Sequence, residues 1–102
     1  MKYIGQYQEF GFADGDSIKN HFNREPYSAK EKIINYLRNG GTVFCCAPSI
    51  IRDCITGGRI LEEQVTRFDG SYKWPSYLAY YVDRYNLKLP NDFEKHILSL
   101  VD

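Results

Sequence analysis

The chain has no net charge. Over 102 residues, 13 Lys and Arg balance 13 Asp and Glu. Affinity built on phosphate contacts needs clustered Lys and Arg, and a nucleic-acid mimic needs the opposite excess, so the balance speaks against both. No stretch approaches the ~20 apolar residues of a membrane span. The opening MKYIGQYQEF carries one Lys and no apolar run, so it does not read as a secretory signal. Only three cysteines occur, Cys45, Cys46 and Cys54. An odd, closely spaced set suits a reducing compartment better than a disulfide framework, and a cytoplasmic protein is expected. There is no C-x-x-C pair, and neither His21 nor His96 has a His or Cys three or four residues away. The glycine pairs Gly40-Gly41 and Gly57-Gly58 lack the Gly-Lys-Ser/Thr or spaced-glycine context of a phosphate loop. No metal and no cofactor is therefore expected.

Aromatic residues are what the chain has in plenty. They make up 16% of it, with nine tyrosines, against a hydrophobic fraction of 43%. Tyr explains how a chain with enough apolar matter for a core has a mean hydropathy of −0.49, since its ring buries large area although it scores as polar. The length suits one domain spanning residues 1–102, able to bury a core without metals or disulfides.

Periodicity gives the elements. Residues 1–12 read as a strand or an ordered arm. Asp16 or Ser17 caps a short helix carrying Ile18 and Phe22. PYSAKEKIINYLRNGG is the clearest helix: Ser28 and Glu31 have capping-box spacing, Ile33, Ile34 and Leu37 form the stripe, and Gly40-Gly41 stop it. Thr42–Cys46 reads as a buried strand, and the PSIIRDC stretch as a helical turn. From Arg59 a strand runs to Phe68, and Asp69-Gly70 signals a hairpin into a strand ending at Trp74. A turn at that pair sets Arg67 opposite Tyr72 and Val65 opposite Trp74, with Thr66, Phe68, Ser71 and Lys73 on the other face. Pro75 opens a helix with Leu78, Tyr81, Val82 and Tyr85 inward. A last helix from about Pro90 turns Phe93, Ile97, Leu100 and Val101 inward. The sum is an α+β domain of about three strands and three to four helices.

Catalytic chemistry finds little footing. Cys45 and Cys46 are adjacent, so on a strand they face opposite sides, as do Glu62 and Glu63. An enzyme would have to assemble its site from scattered groups such as Cys45, Cys54, His21, His96 and the acids. A nucleic-acid binder would need Arg52, Arg59, Arg67, Lys73 and Arg84 on one face; with zero net charge it is the less favoured partner class. The block FDGSYKWPSYLAYYVDRYNLKLP holds most of the Tyr and the lone Trp. Much of it builds core, but Tyr77 and Tyr80 fall at the margin of the helical stripe and Trp74 at a junction. Rings at an exposed margin are favoured protein-binding residues. With Arg67, Tyr72 and Arg84 they make a candidate partner surface: Arg67, Tyr72, Trp74, Tyr77, Tyr80 and Arg84.

DGSYKWPSYLAYYVDRYNLKLPNDFEKHI also resembles a pattern in small uncharacterised bacterial single-domain proteins. These carry Asp-Gly, an aromatic, Trp-Pro or Trp-Ser, a Leu-x-Tyr-Tyr-Val helix and Leu-Pro-x-x-Phe. EFG, SIKNHF, IINYLRNGG and APSIIRDCITG match more loosely. Tyr72 stands where those proteins have Trp, and the Cys pair is a local variation. By analogy of size, compartment and missing catalytic motif, such proteins look like immunity proteins that block a toxin. The resemblance assigns no residue a role; the sequence as a whole is read as a non-enzymatic protein-binding module, acting on another protein or on a second copy of itself.

Overall fold

The computed structural model describes residues 2–46, 52–60 and 65–100. They form a small α+β domain with a four-stranded mixed sheet and three α-helices. The strands are β1 (Lys2–Tyr3), β2 (Thr42–Cys46), β3 (Val65–Phe68) and β4 (Tyr72–Pro75), in the order β1-β4-β3-β2. The helices are α1 (Lys30–Asn39), α2 (Leu78–Tyr85) and α3 (Asn91–Leu100), with 3₁₀ turns at Gln8–Phe10 and Ile18–His21. No helix among the described residues is long and apolar enough to cross a membrane.

Trp74 is the centre of the core. It is fully buried, its ring lies 5.4 Å from Tyr36 of α1 and 5.5 Å from Phe93 of α3, and its Nε1 donates to Leu37 O at 3.0 Å. The helices therefore cover the face of the sheet from which Trp74 projects. Ile33, Leu37, Leu78, Tyr81, Val82, Phe93 and Ile97 fill the same core with no exposure, as the 3.6-residue stripes require. Tyr85, expected inward, is half-buried and stacks on Phe22 at 4.7 Å. Leu100 is 57% exposed, so the inward face of α3 stops at Ile97; Val101 lies outside the described residues, as does most of the PSIIRDC stretch.

The N-terminal arm is a strand. β1 pairs parallel to β4, Lys2 with Tyr72 and Tyr3 with Lys73. The hairpin also forms, but its register is two residues from the expected one: Arg67 pairs with Trp74 and Phe68 with Lys73. Asp69 is the cause. Its Oδ1 accepts from the N–H groups of Ser71 (3.0 Å) and Tyr72 (2.8 Å), and its own N–H donates to Tyr72 O at 3.1 Å. Asp69 thus flanks the turn, and Gly70 (φ 94) and Ser71 occupy its centre. A shift of two leaves each side chain on its expected face.

Three further details differ from the sequence reading. α1 starts two residues after Ser28, with Ala29 at the cap and no side-chain capping bond, so the capping box does not form. Pro75 belongs to β4 rather than to α2: Ser76 N–H donates to Val65 O, and Ser76 Oγ accepts from Val65 N. β2 is an exposed edge strand, with Val43 at 49% and Phe44 at 54% exposure, not a buried one.

Candidate binding face

Of the six expected partner-binding residues, Trp74 belongs to the core and cannot meet a partner in the folded state. Arg67 closes the end of α1: Nε donates to Gly40 O at 2.7 Å and an Nη to Asn39 O at 3.3 Å, satisfying carbonyls the helix leaves open. Tyr72 is half-buried against Phe93 and His96, at 4.8 and 4.7 Å. Tyr77 packs edge-on against Phe10 at 5.3 Å. Tyr80 is half-buried under the guanidinium of exposed Arg84, 6.0 Å from its ring. The set divides between β3–β4 and α2 and does not form one patch.

The aromatic surface lies elsewhere. Strand neighbours alternate between faces, so Phe68 and Lys73, beside Arg67 and Trp74, project from the side the helices leave uncovered. Val43 pairs with Arg67 and Cys45 with Thr66, so Phe44 is the extra residue of a β-bulge. Bulges re-aim side chains at sheet edges; here Phe44 stands edge-on to Phe68 at 5.6 Å. The Lys73 ammonium lies 4.8 Å from the Phe44 ring centre and 5.7 Å from that of Tyr3. Tyr3 in turn tilts against Phe12, itself 36% exposed, at 5.6 Å. Phe12, Tyr3, Lys73, Phe68 and Phe44 therefore cross the sheet as one band. At the Phe12 end it meets a cleft of about 290 Å³ lined by Gln6, Phe12, Asp14 and Gly15. Part of this was legible: the alternation puts Thr66, Phe68 and Lys73 on one face. Tyr3, Phe12 and Phe44 join it only through the parallel pairing of β1 and the bulge.

Two perturbed carboxylates serve the fold. Asp53 is 1% exposed. Its Oδ2 accepts from the hydroxyls of Tyr80 (2.6 Å) and Tyr85 (2.7 Å), and its Oδ1 from the N–H groups of Ile55 and Thr56. Burial pushes its pKa up, but these donors outweigh it and bring it down to about 2. Asp69 Oδ2 accepts from the Tyr36 hydroxyl at 2.5 Å and lies 2.7 Å from His96 Nε2. There too burial is outweighed, by Tyr36, Tyr72 N–H, His96 and Ser71 N–H, and the pKa falls to about 2. Each carboxylate ties a loop to a helix, and the tyrosines point inward to do so.

Among the described residues, the scattered groups Cys54, His21 and His96 are not brought together. Cys54 is half-buried, its thiol pKa pushed up by burial, and its N–H donates to the Tyr81 hydroxyl. His96 is engaged by Asp69, and His21 Nε2 lies 3.4 Å from Asp16 on another side. Cys45 is on the edge strand β2. No three potential metal ligands cluster among the described residues. The basic residues do not converge either: Arg67 and Lys73 project from opposite faces, Arg84 sits on α2, and Arg52 and Arg59 flank a loop joined by an isolated bridge.

No family model, no curated protein and no solved structure matches the chain.

Proposed function

We propose that the chain is a non-enzymatic protein-binding module, and that its partner docks on the helix-free face of the sheet. The observation that carries this is the band of Phe12, Tyr3, Lys73, Phe68 and Phe44. Rings left at a surface are costly to keep in water and gain most when covered. A cation among rings gives such a patch charge selectivity as well. The mechanism is steric: a preformed face holds or blocks the partner without chemistry. In the narrower form suggested by the resemblance, the partner is a bacterial toxin met in the cytoplasm and the chain is its immunity protein.

The test is Phe44→Asp. Phe44 is 54% exposed, so the variant should keep its thermal midpoint to within a few degrees. It should lose a protein that the wild type captures from host lysate, or lose dimerisation if the partner is a second copy. A folded variant that keeps the wild-type capture and oligomeric state would remove the reading.

A further inference from the structure

Two charges along the aromatic band have no opposite charge to meet. Three lysines among the described residues are half-buried, Lys30, Lys73 and Lys88. Lys30 Nζ donates to Asn86 Oδ1 at 2.7 Å and to Asp83 O at 2.9 Å, and Lys88 contacts the Glu94 carboxylate. Lys73 meets only rings, those of Phe44 and Tyr3, and no carboxylate lies within ion-pair reach of it. Ring faces offset part of the cost of holding a cation partly out of water. An anion brought to it offsets more.

The opposite charge stands at the other end of the band. Asp14 is exposed in the wall of the cleft that Phe12 also lines. Its carboxylate has neither a hydrogen bond nor an ion pair among the described residues, whereas nearby Asp16 faces His21. Phe12 tilts against Tyr3, and Tyr3 lies beside the Lys73 ammonium. The face therefore runs in the order acid, rings, cation, rings.

Rotated by half a turn, that order is its own complement. A two-fold contact requires this, because whatever one residue meets on the other copy, it must also be met by. An axis near the Tyr3–Phe12 contact brings Lys73 of each copy to Asp14 of the other. The same rotation carries Phe44, the outermost ring, to the cleft of the other copy. A chain with zero net charge has no overall repulsion between copies to overcome. A stable interface covers about 800 Å² per partner, which one face of a molecule measuring 35 × 32 × 27 Å can supply.

We infer that the occupant of the open face is a second copy of this chain, in a two-fold dimer closed by two reciprocal Lys73–Asp14 ion pairs across the facing aromatic bands. The inference rests on the open face being a docking face, and names what docks there.

The experiment is sedimentation equilibrium of the full chain up to about 1 mM. It compares wild type, Asp14→Lys, Lys73→Glu, the exchange of both, and Phe44→Asp. The wild type should be dimeric within that range. Each single reversal puts two like-charge pairs into the interface and should weaken the dimer roughly tenfold or more. The double exchange should return it to within about threefold of the wild type. Asp14 is exposed, so Asp14→Lys reports on the contact even where Lys73→Glu disturbs folding. A wild type that stays monomeric would overturn the inference. A host protein captured by that monomer and lost with Phe44→Asp would then give the docking face a different occupant. A dimer indifferent to Asp14→Lys, or a folded exchange variant weaker than both single variants, would overturn the ion pairs and the two-fold arrangement with them. A dimer that withstands Phe44→Asp forms on another surface and would overturn this inference and the docking face together.

Discussion

At the scale of single residues, the tyrosines divide by what their hydroxyls can reach. Tyr80 sits at the margin of a helical stripe, where an exposed ring is the ordinary expectation, and Tyr85 closes that stripe, where the spacing expects an inward ring. Both turn inward because Asp53 offers a buried carboxylate that needs donors. Asp53 lies in a loop 27 residues before Tyr80, so no local pattern in the sequence announces the pairing. The consequence is acid sensitivity. Asp53 and Asp69 have folded pKa values of about 2, below their ordinary value. Their contribution is therefore complete above the ordinary carboxylate range and is lost as pH falls through the folded value, at roughly 2 kcal/mol each. Stability measured by urea unfolding should fall between about pH 4 and pH 2. Asp53→Asn should be less stable at neutral pH by about 2–3 kcal/mol and should show a shallower acid decline. An Asp53→Asn profile parallel to the wild type's would show that this carboxylate does not carry the effect.

Among the elements, the helices were the most legible. Ile33, Ile34 and Leu37, and likewise Leu78, Tyr81 and Val82, are buried as their spacing demands. Their ends were less so, because caps compete locally: Ser28 has the right neighbours, yet the chain turns through Tyr27–Lys30 before the helix starts. The hairpin register was misplaced for a similar reason. Asp-Gly pairs commonly form the turn itself, but here the Asp69 side chain binds the two N–H groups beyond Gly70 and moves the turn by one residue. The link from α1 to β2 is equally tight. Gly41 has φ 61, and a Cβ there would stand 2.1 Å from Phe68 O. Gly41→Ala should cost about 3 kcal/mol or more, combining the strained backbone with the clash. Chemical denaturation checks it, and a near-neutral result would mean that the α1–β2 connection and β3 can separate without loss.

For the whole molecule, the α+β class was legible and the aromatic band on the open face of the sheet was not. Trp74 illustrates why. Its place beside Pro75 suggested an exposed junction, but Pro75 continues β4 and the indole becomes the contact between sheet and helices. Once Trp74 marks the covered face, Lys73 and Phe68 must occupy the open one. Alternation alone says which residues share a face; which face the helices cover is decided by contacts between segments far apart in sequence. Phe12 and Tyr3 come to the band through a parallel pairing some 70 residues distant in sequence, and Phe44 through a bulge. The expected set of Arg67, Tyr72, Trp74, Tyr77, Tyr80 and Arg84 fails as a single surface because capping, core packing and Asp53 engage most of its members.

The most direct test of the proposed docking face is site-specific photo-crosslinking in the native host. A photoreactive phenylalanine analogue is placed at position 44 in one version of the chain and at exposed Asp83 on α2 in another. The account predicts a discrete protein adduct from position 44, identifiable by mass, and none from position 83. An adduct from position 83 with none from position 44 would contradict it, and would place the partner on the helical side of the molecule.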